Sequence, residues 1–223
     1  MNDATIDVIW SGESAAVVNK PAGLSTQAPA PHSSLETVLR DQFANRSDYL
    51  AFPHRLDRPV SGLILVTFSK KAARLLGEQF EARRVNKSYL ALVHGVVAED
   101  QQRWSDHLQK IDDEARVVVV SPEDLPNSPN AKLAELEMSV IQRFENQTLV
   151  ELSPITGRMH QLRVQAASRG HAIVGDTLYG SDQHIVDASS DAIALHASKL
   201  EFNDPTNGRR ILVISPPPAW LPR

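Results

Sequence analysis

The sequence predicts an α+β fold with a mixed or antiparallel sheet and flanking helices. Three observations carry this. Strand-like and helix-like stretches are interspersed without strict alternation. Residues 203–208, Asn-Asp-Pro-Thr-Asn-Gly, form a strong hairpin-turn signal between two apolar runs. There is no repeat of 20–50 residues and no heptad pattern.

The elements follow in order. Ile6–Trp10 and Ala15–Asn19 read as short strands around Ser11-Gly12-Glu13, and Lys20-Pro21-Ala22-Gly23 ends the second. Residues 25–33 form a Pro-rich loop, after which Ser34 is a candidate N-cap for a helix with Leu35, Val38, Leu39 and Phe43 on one face. Pro53 and Pro59 bracket an irregular loop, and Gly62–Phe68 reads as a buried strand. Ser69 caps a helix with Ala72, Ala73, Leu75, Leu76 and Phe80 inward. Lys87–Val97 is a strand. Residues 99–130, polar and acidic, read as an excursion from the core and not as a second domain. Leu133–Phe144 and Thr148–Leu152 pair as a hairpin around Glu145-Asn146-Gln147. Gly157–Arg169 reads as a helix, with Gly170 where a left-handed cap belongs. Ile193–Phe202 and Arg210–Ile214 flank the last turn. The whole, 1–223, is read as one domain.

Composition removes several function classes. With no cysteine there are no disulfides, thiolate metal sites, cysteine-ligated clusters or Cys nucleophile. The eight histidines show no metal-binding spacing, and no GxGxxG, Walker-type, HExxH or GxSxG pattern occurs. No cofactor and no metal are expected. The apolar runs are far shorter than a membrane span. The acidic start, with Asp3, Asp7 and Glu13 before Lys20, is unlike a signal peptide. A soluble, cytoplasmic protein and a monomer are expected. The formal net charge of −4 is unevenly spread. Residues 54–94 carry eight Lys/Arg against three Asp/Glu, a local +5, and residues 99–150 carry five against eleven, a local −6. A basic face for a polyanion can therefore sit on an acidic protein.

Two segments stand out. In HRLDRPVSGLIL, residues 54–65, Asp57 lies between Arg55 and Arg58 on a Pro-bounded loop that leads into a buried strand. Rigidly based loops concentrate catalytic groups, and the flanking guanidiniums favour the charged carboxylate. The plain alternative is a surface salt-bridge loop. In PITGRMHQLRVQAASRGHAIVGDTLYG, residues 154–180, helical spacing groups His160, Arg163 and Ala167 beside an apolar face of Met159, Leu162 and Ala166. An Arg beside an apolar stripe is partly buried and wants a carboxylate, for which Asp57 is a candidate. The plain alternative is a helix with a solvated polar face.

Three blocks in order, HRLDRPVSG, KSYLALVHG (87–95) and GRMHQLRVQAASRGHAIVGDTLYG, resemble the motifs of the RluA family of RNA pseudouridine synthases. VVNKPAGLSTQ (17–27) and LHASKLEF (195–202) extend the similarity to nearly the whole chain. Val60 stands where Thr is usual, Gln165 where His is common and Ala172 where Pro is common. The small RNA-binding domain that precedes the core in some members is not expected here.

The resemblance implies a pseudouridine-synthase-like catalytic domain with a mixed, mostly antiparallel sheet. It implies isomerisation of uridine to pseudouridine in a structured RNA, of the transfer or ribosomal kind, after base flipping. Asp57 is then the catalytic carboxylate. Attack on the sugar, attack on the base and removal of a sugar proton all stay open for it. Arg163 pairs with Asp57, and Tyr89 stacks beside the flipped base near carbon 5. Arg55 fills the gap left by the base, and His54 supports the same loop. Arg58, Lys87, Arg158, His160 and Gln161 are the further RNA-binding candidates, with Lys70, Lys71, Arg74, Arg83 and Arg84 as backbone contacts. Residues 99–130 become an insertion at the cleft edge. The alternatives are a non-catalytic RNA-binding relative and a carboxylate-based hydrolase. The latter needs a paired acid, and the sequence places none beside Asp57.

Overall fold

A computed structural model describes residues 5–29, 31–180 and 192–222. In chain order its elements are β1 (Val8–Ser11), β2 (Ala15–Lys20), α1 (Leu35–Gln42), β3 (Ser61–Thr67), α2 (Lys70–Glu81), β4 (Asn86–His94), β5 (Gln101–Lys110) and β6 (Val117–Val120). They continue with β7 (Lys132–Arg143), β8 (Gln147–Pro154), α3 (Gln161–Ser168), β9 (Leu195–Asn203) and β10 (Arg210–Ile214). The chain divides into two compact units. One takes in the chain up to Lys87 and again from His196; the other begins at Ser88 and includes Ile193–Leu195.

In the first unit β1, β2 and β3 are successively antiparallel, with Ala15 opposite Thr67 and Lys20 opposite Gly62. β9 joins β3 in parallel at Ser61–His196 and Gly62–Ala197, and β10 returns antiparallel to β9. The sheet is thus mixed but mostly antiparallel, as the sequence predicts. Its core gathers Ala15, Val17, Leu63, Leu65, Leu76, Leu200, Phe202 and Val213. Both helices start where expected. The Ser34 hydroxyl accepts from Thr37 N–H in a full capping box, and Ser69 accepts from Ala72 N–H.

The second unit is antiparallel in the order β4-β8-β7-β5-β6. β7 and β8 form the expected hairpin, with Phe144 N–H donating to the Gln147 carbonyl. The excursion expected over 99–130 is corrected here. β5 pairs with β7 from Gln101 opposite Ser139 to Leu108 opposite Lys132, and Trp104 and Leu108 are buried. Its inward residues are diluted by polar neighbours, so average polarity hid a period-two strand. α3 is also shorter than expected. Residues 157–160 precede it as a loop, and His160 is left-handed at φ 51°. The far end is as read. Gly170 N–H reaches the Ala167 carbonyl and His171 N–H the Ala166 carbonyl, with Gly170 at φ 78°, a Schellman cap.

Candidate active site

The loop 54–60 in the first unit is tied down at several points. His54 is turned inward. Its Nε2 accepts the Leu65 N–H of β3 at 3.0 Å, and its ring stacks on Phe80 of α2 at 4.8 Å. Burial, with Lys87 as a second and smaller cause, lowers its pKa to about 3, so it is neutral at pH 7. An acceptor nitrogen needs that neutral state. The histidine thus anchors the loop to β3 and α2. The Thr26 hydroxyl donates to the Leu56 carbonyl at 2.9 Å and accepts the Leu56 N–H at 3.3 Å. Gly23 N–H donates to the Arg58 carbonyl at 2.8 Å, and Arg58 Nε donates to the Gly23 carbonyl at 3.1 Å. Asp57 is half-buried and its carbonyl accepts the Val60 N–H at 3.1 Å, while Arg55 and Arg58 are exposed.

Sequence reasoning missed Lys20. Its side chain is 0% exposed, and its ammonium donates to the carbonyls of Pro21 (2.9 Å), Leu24 (2.8 Å) and Arg58 (3.3 Å). Burial lowers its pKa to about 7, and the Asp57 carboxylate opposes that shift. The signal was available. Ala16, Val18 and Lys20 share one face of β2 by period two, and the first two are core residues.

Past the loop, Gly62 sits at φ 111° against β9, where a Cβ would lie 2.4 Å from the Ala197 carbonyl oxygen. Beside it the Ser61 hydroxyl meets His196 Nδ1 at 2.8 Å, and His196 Nε2 meets the Ser215 hydroxyl at 2.6 Å. Burial lowers the His196 pKa to about 4. Lys87, half-buried, places its ammonium 5.6 Å from the Phe80 ring centre. Lys70 and Lys71 are exposed in the first turn of α2, and Arg83 and Arg84 are exposed after it. Arg74 is paired with Glu78.

In the second unit Tyr89 is a buried residue of β4, opposite Leu152 of β8. Arg163 is buried in α3. Its Nε donates to Asp176 Oδ2 at 2.7 Å and its Nη2 to Asp176 Oδ1 at 2.8 Å, a two-pronged pair with side chains 7% and 1% exposed. The sequence argument that a buried Arg needs a carboxylate holds, and Asp176 meets that need. Asp57 and Arg163 lie in different units. Tyr179 is buried, with its ring centre 5.2 Å from the Arg163 guanidinium and its hydroxyl 3.0 Å from His160 Nδ1. Gln161 is corrected from an RNA-facing position. It is 3% exposed, and its side-chain carbonyl accepts from Thr156 Oγ1 and Arg158 N–H while its amide donates to the Glu135 carbonyl. It shapes the 156–158 turn. Arg158 itself is exposed, donating from Nε to the Leu133 carbonyl at 3.0 Å. Gln165, where His is common, donates to Asp106 at 2.6 Å. Among the described residues no cluster of three His, Asp or Glu side chains could hold a metal ion. No helix among them is long and apolar enough to cross a membrane. His184 lies outside the described residues.

The chain resembles known proteins along most of its length. Residues 14–168 match the family model of RNA pseudouridylate synthases. It is 34% identical over 223 residues to the ribosomal large subunit pseudouridine synthase C of Yersinia pestis, covering 94% of this chain and 65% of that protein. It thus spans less than two thirds of that relative's length. It is 34% identical over 229 residues to the dual-specificity RNA pseudouridine synthase RluA of Pasteurella multocida, covering 98% and 95%. Among solved structures, human RNA pseudouridylate synthase domain containing 1 superposes with a TM-score of 0.79 at 28% identity, covering 98% of this chain and 86% of that one.

Proposed function

The chain belongs to the RluA family of RNA pseudouridine synthases, and from that premise we propose that it isomerises uridine to pseudouridine in a structured transfer or ribosomal RNA. The observation that carries the reading is the loop of Asp57, laced to β3 through His54 and to residues 20–26 through Lys20, Gly23 and Thr26. A carboxylate that must meet one atom of a flipped nucleotide works only from a fixed backbone. Asp57 is the catalytic carboxylate in this proposal. Tyr89 supplies a ring face for the base and a hydroxyl for proton transfer at carbon 5. Arg163 supplies the positive charge that the family resemblance assigns to the Asp57 carboxylate.

RNA capture is assigned to Arg55, Arg58, Lys87, Arg158 and His160, with Lys70, Lys71, Arg83 and Arg84 as phosphate contacts. Support comes from the first turn of α2, which holds Lys70 and Lys71 and no acidic residue. Cations there oppose the helix dipole, so they are placed against local stability and add to one positive field. The protein is proposed to act as a cytoplasmic monomer on a stem-loop, which light scattering of the free and RNA-bound forms tests.

The deciding experiment is tritium release from RNA labelled at carbon 5 of uridine, taken from cells lacking this gene. Release by the wild type that vanishes in Asp57→Ala is the expected result, and fractionation of the RNA then gives the substrate. No release from transfer or ribosomal RNA by the wild type refutes the proposal in favour of a non-catalytic RNA-binding relative. Arg163→Met is expected to lose most activity while RNA binding persists. Tyr89→Phe with full turnover would remove the hydroxyl from proton transfer.

A further inference from the structure

The hold on Arg163 extends beyond Asp176. The Tyr179 N–H donates to the Asp176 carbonyl at 3.2 Å, so one turn sets the carboxylate and the ring together. The Tyr179 ring lies 5.2 Å from the Arg163 guanidinium carbon, within cation–π range. Its hydroxyl accepts the backbone N–H of Val117 at 3.0 Å and meets His160 Nδ1 at 3.0 Å. A hydroxyl has one proton and two lone pairs, so it can accept from Val117 and still either donate to or accept from His160 Nδ1, as the ring's tautomer sets. Val117 opens β6, the outer strand of this unit, and is 3% exposed. Its N–H is buried, and Tyr179 is its acceptor. Val117, Leu108, Val164 and Tyr179 share one apolar cluster, which fixes the ring from below.

We infer that Asp176 and Tyr179 are positioning residues for Arg163, and that the Tyr179 hydroxyl couples the β5–β6 hairpin to it. The β5–β6 hairpin then acts inward, through the buried Val117 amide. The inference rests on the proposed role of Arg163 in the reaction. It also explains a conformation: His160 holds φ 51° just before α3, where its Nδ1 reaches the hydroxyl.

The test uses the full chain, labelled RNA and Tyr179→Phe, which keeps the ring on the guanidinium and deletes only the hydroxyl. The single-turnover rate is expected to fall by about tenfold to a hundredfold, as for small misplacements of a reacting group, with the RNA dissociation constant unchanged. Met138→Ala, a buried truncation on β7, is the control. It is expected to lower the melting temperature and leave the rate alone. The second readout needs no activity. The Arg163 Nε–H resonance, assigned with Arg163→Lys, should exchange slowly in the wild type and faster in Tyr179→Phe. Asp176→Asn should lose more rate than Tyr179→Phe; if it does not fold, Tyr179→Phe decides. A wild-type rate in Tyr179→Phe, or a rate loss equalled by Met138→Ala, overturns the coupling. If the wild type modifies no RNA, the proposed function fails by itself, and unchanged Nε–H exchange in Tyr179→Phe would still overturn the coupling.

Discussion

Adding one methyl group at Gly62 should be among the most damaging small changes available to this protein. A Cβ there would lie 2.4 Å from the Ala197 carbonyl oxygen and 2.5 Å from its nitrogen, both backbone atoms of β9. No rotamer can relieve that contact, so β3 and β9 must separate where Ser61–His196 and Gly62–Ala197 pair. The residue also holds φ 111°, a conformation that costs an L side chain about 1–2 kcal/mol. Overpacking adds about 1–3 kcal/mol. The sum, roughly 2–5 kcal/mol, is a large part of the roughly 5–15 kcal/mol that keeps a domain folded. Gly77 is the internal control. It lies inside α2, and a Cβ there would meet nothing within 4 Å. Gly77→Ala should stabilise by about 0.5–1 kcal/mol through helix propensity alone. Urea titrations of the two variants beside the wild type measure both changes. A Gly62→Ala midpoint within error of the wild type would refute the close-approach argument.

Three further outcomes follow from charge and capping. Lys20 binds a proton below about pH 7 when folded and below about 10.5 when unfolded. Between those values the unfolded chain holds more protons, so this residue makes stability rise with pH. The stability advantage of the wild type over Lys20→Met should therefore widen from pH 6 to pH 9 in paired denaturant titrations; a constant gap contradicts the buried ammonium. His54 and His196 carry pKa values lowered to about 3 and about 4 against 6.5 unfolded. Each contributes stability that is present above pH 6.5 and lost toward pH 4, at up to about 1.4 kcal/mol per pH unit. Replacing His196 with Gln should flatten the acid limb of melting temperature against pH. Ser34→Ala should cost about 1 kcal/mol through loss of the capping box, read from the denaturant midpoint.

Local chemistry made most elements legible. Ser34 and Ser69 start helices because their hydroxyls satisfy early amides, and Gly170 ends one because it tolerates a positive φ. What failed was read from averages or from sequence neighbours. β5 alternates, but its inward Trp104 and Leu108 are set among charged and polar residues. The start of α3 was placed early because 157–160 is compatible with a helix by composition, while His160 and Gln161 hold the backbone out of one. At the site, Asp57 was marked by its flanking arginines and prolines. Lys20 was overlooked because a lysine at a strand end reads as surface, although the pleat turns it inward. The resemblance puts Gln161 among the RNA contacts, while its side-chain amide closes a turn from within.

The pairing of β3 with β9 has a consequence for the order in which the protein can assemble during synthesis. Ser61 and His196 are joined across the first unit, and Ser215 completes their chain. The second unit draws its strands β5 to β8 and α3 from one uninterrupted stretch, residues 101–168. At roughly 5–20 residues per second, Ser215 leaves the ribosome roughly 8–30 s after Ser61. Arg163, Asp176 and Tyr179 therefore emerge with Val117 and His160 already made, while β3 still waits for His196 of β9 and for Ser215 after β10. The nascent chain completes the setting of Arg163 before it can close the β3–β9 seam.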